Sequence, residues 1–128
     1  MVERPVRVQL SRKKGWRMPP NTVSVARPGK WGNPFNVGGY HRLGCGFGYL
    51  TALSAEYADA SFTHVTTREQ AVAMFRQYHA SSKPMRFAEL RGKNLACWCP
   101  LTDKEGNPVP CHADVLLELA NPDAPHAR

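Results

Sequence analysis

The stretch "NLACWCPLTDKEGNPVPCHADVLLELA", residues 94–120, sets the expectation for the fold. Residues 94–99 are mostly apolar and read as a buried strand. A loop rich in proline and polar residues follows. Residues 111–120 then put Val115, Leu116, Leu119 and Ala120 on one helical face, and Asn121 and Pro122 end that helix. A strand, loop and helix in this order place the loop at the carboxyl end of the strand, the usual position for ligands in α/β sheets.

The rest of the chain supports the same class. Residues 6–12 alternate Val6, Val8 and Leu10 with polar neighbours, the period of a half-buried strand. Residues 22–27 read as a second strand. Residues 28–39 carry Gly or Pro at six of twelve positions and read, with 40–49, as irregular. Residues 50–60 read as a short helix. Residues 67–80 read as a longer one, opened by a capping box of Thr67 and Gln70 and aligning Ala71, Met74, Phe75 and Tyr78. The expected fold is a small single-domain α/β structure over residues 1–121, a three- to four-stranded sheet with flanking helices. A flexible tail is expected over 122–128.

Composition narrows the function. The 128-residue chain suits one domain, and no apolar run approaches the ~20 residues that span a bilayer. The start lacks the apolar core of a secretory signal, so a cytoplasmic location with reduced thiols is expected. Residues 1–50 hold nine basic side chains against one acid. Such an uneven distribution suggests a phosphorylated or polyanionic partner, a nucleotide or nucleic acid. A merely solvated basic surface is the competing explanation.

Cys97, Cys99, Cys111 and His112 supply the sulfur and nitrogen donors that zinc takes in tetrahedral sites. In a strand, residues 97 and 99 project to one side, and Trp98 is expected to face the core. Residues 111 and 112 diverge by about 100° in regular helix, so both can reach one metal only if the backbone there is irregular. His41, Cys45 or water are alternatives to His112. A second reading makes Cys111 a catalytic nucleophile, favoured by the helix start and with His112 as base. A third makes the thiols inert packing.

"ARPGKWGNPF", residues 26–35, offers a ligand loop: Arg27 and Lys30 for phosphate, Gly32 for close approach, Trp31 and Phe35 for stacking, and Asn33 for a polar edge. With equal weight, Trp31 and Phe35 are core anchors. "SRKKGWR", residues 11–17, is a further basic stretch able to clamp phosphates, or a solvated tip. His64, His79, Glu56, Asp59 and Asp114 suggest no paired chemistry.

The segments "RVQLSRKKGW", "PNTVSVARPGKWGNPF", "LRGKNLACWCPL" and "PCHADVLLELAN" together resemble a family of bacteriophages and bacteria catalogued as domain of unknown function 4326. The resemblance covers about residues 5–121. It implies no reaction. It does imply a shared site built by Gly32, Asn33, Pro34, Cys97, Cys99, Cys111 and His112, with Cys45 an individual feature. The resulting expectation is a phage- or prophage-type protein with a zinc-like centre and a basic nucleotide- or nucleic-acid-binding loop. A non-enzymatic interaction protein and a cysteine-dependent enzyme acting on a nucleotide-derived substrate are the alternatives.

Overall fold

A computed structural model describes residues 5–27, 30–43, 49–80, 82 and 84–122. Pro28, Gly29, Cys45 and the tail from residue 123 onward lie outside the described residues. The elements are β1 (Arg7–Gln9), β2 (Thr22–Ser24), β3 (Tyr40–Leu43), β4 (Tyr49–Ala52), β5 (Thr63–His64), α1 (Arg68–His79), β6 (Asn94–Cys97) and α2 (His112–Ala120). Short 3-10 segments occupy Ala55–Tyr57 and Pro84–Leu90. The α/β class holds. Among the described residues the strands form two three-stranded sheets. Each lies in its own compact unit: Met1–Gly32 with Lys83–Arg128, and Asn33–Ser82.

In the first unit the sheet order is β1-β6-β2, and β6 pairs in parallel with both neighbours. Leu95 and Ala96 of β6 are fully buried, as befits a central parallel strand covered by helix. α2 packs on β6, β1 and the 3-10 segment Pro84–Leu90. Its buried face is Ala113, Val115, Leu116 and Ala120, close to the expected one; Leu119 is half-buried. Asn21 enters β2 in the left-handed region, at φ 55°, and donates from Nδ2 to the Gly92 carbonyl at 2.8 Å. This side-chain bond offsets the steric cost of that conformation. Because all three strands run the same way, their carboxyl ends share one edge.

In the second unit β3 lies between β4 and β5 with antiparallel pairing. Two expectations fail here. Residues 40–43, read as irregular, are the central strand, and residues 50–60, read as helix, divide into β4 and a 3-10 turn. The alanines of 50–60 favour helix locally, but ladder pairing with β3 satisfies the backbone of Tyr49–Ala52 and overrides that preference. α1 appears as expected, with both halves of its capping box formed. Phe35 sits at the middle of an aromatic group, edge-on to His41, Tyr49 and Tyr78 at 5.4–5.9 Å. The buried His41 is hydrogen-bonded through Nδ1 to Thr51 and through Nε2 to Asn36, each at 2.9 Å.

Gly39 is packed against that network. A Cβ there would lie 2.5 Å from His41 Nε2 and 2.6 Å from Asn36 Oδ1. Gly39→Ala is therefore expected to lose about 1–3 kcal/mol by overpacking and by breaking the His41–Asn36 bond. Urea unfolding measures this, and an unchanged midpoint would contradict it.

Candidate metal centre

β6 ends at Cys97, whose side chain is turned inward. Cys99 follows two residues later, half-buried, in the bend after the strand. Cys111 is the N-cap residue of α2, with extended backbone at φ −150° and ψ 150°. Its sulfur accepts the Ala113 amide, and the Asp114 carboxylate accepts the Cys111 amide at 3.2 Å. This is a capping box with cysteine in the place usually held by serine or threonine. The helix start thus fixes where the Cys111 sulfur points.

The three sulfurs lie within 4.8 Å of one another, and Cys97 and Cys111 approach to 2.9 Å. All three cysteines are free thiols. They form a cluster able to hold a metal ion. Zinc–ligand lengths of about 2.3 Å to sulfur and 2.0–2.1 Å to nitrogen give tetrahedral edges of about 3.8 Å (S···S) and 3.5 Å (S···N). The Cys97–Cys111 separation of 2.9 Å is shorter than the first value, and all three sulfurs stay within 4.8 Å of one another.

His112 is placed by a bond from Nε2 to the Val25 carbonyl at 2.7 Å. A carbonyl only accepts, so Nε2 carries the proton and the neutral ring leaves a lone pair on Nδ1. Nδ1 lies 3.6 Å from the Cys111 sulfur, matching the expected S···N edge. The irregular backbone needed for residues 111 and 112 to face one point is present, since Cys111 stands outside the helix in extended conformation.

Electrostatics oppose free thiolates here. The Cys111 thiol is pushed far up by the sulfurs of Cys97 and then Cys99, and by burial. For Cys97 the Cys111 contact acts to lower the value, but Cys99 and burial outweigh it and the net direction is up. Burial lowers His112, against the raising effect of the Val25 carbonyl, and so favours the neutral imidazole. Crowded sulfurs cannot all ionise without a counter-charge. The helix start that favours a Cys111 thiolate is outweighed by its neighbours.

A family model described as Domain of unknown function (DUF4326) matches residues 8–122. The chain belongs to this family. No curated protein and no solved structure matches it. Among the described residues, no helix is long and apolar enough to cross a membrane.

In this DUF4326 chain the loop between Cys99 and Cys111 is an ordered hairpin. Thr102 bridges Pro108, and the Val109 amide donates to the Leu101 carbonyl at 3.1 Å. Asp103 Oδ1 accepts the Glu105 and Asn107 amides, both at 2.9 Å. Arg7 ties the base of the hairpin down: Nη1 pairs with Asp114 at 3.0 Å, and Nη2 reaches the Pro100 and Leu101 carbonyls at 3.2 and 3.3 Å. Arg7 thereby joins β1, the hairpin and the helix start that presents Cys111. Nothing in the sequence singles out Arg7 for this, because the contact spans 107 positions.

The residues expected in the "ARPGKWGNPF" loop have separate placements. Trp31 is only 6 % exposed and packs on Phe87 with ring centres 5.8 Å apart. Asn33 is buried, donating to the Ala71 carbonyl at 3.1 Å and accepting the Phe35 amide at 2.9 Å. Trp31 and Phe35 therefore have the anchoring geometry that the sequence left as the competing reading, while Asn33, expected to offer a polar edge, spends its amide on these buried bonds. Lys30 pairs with Glu89 and lies 5.1 Å from the Trp31 ring centre. Gly32 lets the chain approach Arg27, since a Cβ would lie 2.9 Å from Arg27 Cα and Cγ. Arg27 is exposed, and its charge acts on His112. His41, an alternative fourth ligand, has both ring nitrogens in hydrogen bonds of the second unit.

Trp98 corrects the expectation that it faces the core. The alternation itself holds, with Cys97 in and Trp98 out. Strand pairing stops at Cys97, however, so Trp98 lies past the covered sheet and is 46 % exposed.

The Arg7–Asp114 pair is largely shielded, with side chains 8 % and 15 % exposed. Arg7→Ala removes the guanidinium that balances the Asp114 charge and is expected to lose about 2–4 kcal/mol in urea unfolding. Arg7→Lys recovers only part, because an ammonium cannot span the same three acceptors.

Asp103 is held below the ordinary carboxyl value of 3.8, first by the Asn107 amide and, against a small burial effect, by that of Glu105. Its folded value lies below its unfolded one. Its contribution to the hairpin is therefore present above 3.8 and fades as pH falls through the folded value. A carboxyl NMR titration is expected to place the Asp103 midpoint below 3.8, with the Asn107 amide shift following the same curve.

Proposed function

We propose that the three cysteines and His112 Nδ1 hold one zinc ion, and that this centre organises the carboxyl edge of the parallel sheet for a phosphate-bearing ligand, a nucleotide or nucleic acid. The observation that carries the metal reading is the convergence of three sulfurs within 4.8 Å. Zinc fits the donor set, because thiolate and imidazole suit a borderline-soft tetrahedral ion. The Nε2–Val25 bond is the outer-shell support that ligating histidines usually have. Four protein donors close the coordination sphere, which favours a structural centre in a non-enzymatic binding protein over a catalytic metal. The exposed Arg27 supports the phosphate part of the proposal. A phage or prophage product working in the cytoplasm would meet reducing conditions that keep such thiols available to the metal.

The 2.9 Å approach of Cys97 and Cys111 favours one second reading, a redox-active dithiol. Elemental analysis with intact-mass measurement separates the two. The metal reading expects one zinc per chain, with zinc content falling sharply in Cys97→Ser and Cys111→Ser. Chelation should lower the melting temperature by about 10 °C or more, as a binding energy of several kcal/mol in a chain of this size implies. A metal-free protein lighter by two hydrogens would overturn zinc in favour of the dithiol.

A further inference from the structure

Trp98 is the one residue between Cys97 and Cys99, and it stands out of the protein while both cysteines turn toward the cluster. A single exposed ring is ordinary on a protein surface; Trp98 is set apart by the cations beside it. Its position is fixed on both sides. The preceding residue is the last of β6, and the Leu10 amide donates to the Cys97 carbonyl at 2.8 Å, which sets the chain leaving β1 beside it. That chain brings Arg12 over the Trp98 ring, with the guanidinium carbon 4.7 Å from the ring centre.

The segment beyond Arg12 is an ordered turn. Ser11 Oγ accepts the Lys13 amide at 3.1 Å, and the Trp16 amide donates to the Lys13 carbonyl at 3.0 Å. Gly15 takes φ +86° with nothing within 4 Å of where its Cβ would be. Arg12, Lys13, Lys14 and Arg17 are all exposed. Residues 5–27 contain no acid, and among the described residues no carboxylate forms an ion pair with these four cations.

We propose that Trp98 with Arg12 is a stacking platform for an unpaired base of single-stranded nucleic acid, and that the 11–17 turn holds the adjoining phosphates. A ring and a guanidinium offer flat faces to any base, and four cations complement a phosphodiester chain. Duplex is a poor fit, because its base faces are already covered by their neighbours. A lipid surface would need several adjoining apolar side chains, whereas Ser11, Arg12, Lys13 and Lys14 are polar or charged. This deepens the proposed function and rests on it to the extent that the filled metal centre holds Trp98 in place.

The test is fluorescence anisotropy with a labelled oligo(dT) of about 20 nucleotides, longer than a small domain's site. A duplex of equal length and phosphatidylserine vesicles serve as comparisons, and zinc is measured in each protein. Trp98→Ala is expected to weaken single-strand binding by about 5- to 100-fold with zinc content and circular dichroism unchanged. Trp98→Phe should stay near the parent. Arg12→Ala and the Lys13→Ala/Lys14→Ala double variant, all on the surface, should reduce the salt slope by about 0.7 per charge removed.

The proposal is overturned by Trp98→Ala binding within twofold of the parent, by equal or tighter duplex binding, by binding to vesicles alone, or by no binding of the parent at low salt. Should Trp98→Ala lose its fold, the two surface variants decide: unchanged affinity and slope overturn the proposal. A parent without zinc that still binds through Trp98 would refute the metal centre and leave the platform standing.

Discussion

β6 runs between two parallel partners, and the geometry of the cysteine cluster follows from that placement. Parallel neighbours bring the ends of β1, β2 and β6 to one edge. Cys97 and Cys99 arrive there from β6, the Val25 carbonyl from β2, and Arg12 from β1. The hairpin after Cys99 then turns the chain so that α2 begins at the same edge with Cys111 as its first capping residue. With an antiparallel neighbour these groups would be divided between opposite ends of the sheet.

Burial and charge decide what such a cluster can do. Cys97 and Cys111 are 1 % exposed, and their thiols are pushed up rather than down. That is a poor setting for a free nucleophile, which needs a thiolate and access. It is a sound setting for a cation, whose charge offsets the crowding of sulfurs. Arg7 contributes without touching a sulfur: its pair with Asp114 secures the box that orients Cys111, and its other bonds hold the hairpin base. A positively charged side chain so placed works through geometry.

Local patterns were legible where they are self-contained. The capping box of Thr67 and Gln70, the apolar face of 111–120 and the period-two alternation around Cys97 each involve residues a few positions apart. Residues 50–60 misled because alanine-rich composition reports helix preference, whereas the pairing of Tyr49–Ala52 with β3 depends on a partner strand. In the glycine-rich loop, composition describes aromatic and amide groups well suited to a base. It does not say whether Trp31 and Asn33 point to solvent, and packing on Phe87 and bonds to Ala71 and Phe35 are what bury them.

The sequence by itself determined the α/β class, the donor types at 97, 99, 111 and 112, and the excess of cations near the start, because residue identity and short-range period carry those. Tertiary structure alone decided that there are two sheets, that three sulfurs converge, that His112 presents Nδ1 toward Cys111, and that Trp98 rather than Trp31 is the open ring. These depend on contacts between residues as far apart as Val25 and His112. No local pattern encodes such distances; they are set only when strands from remote parts of the chain pair and exclude water together.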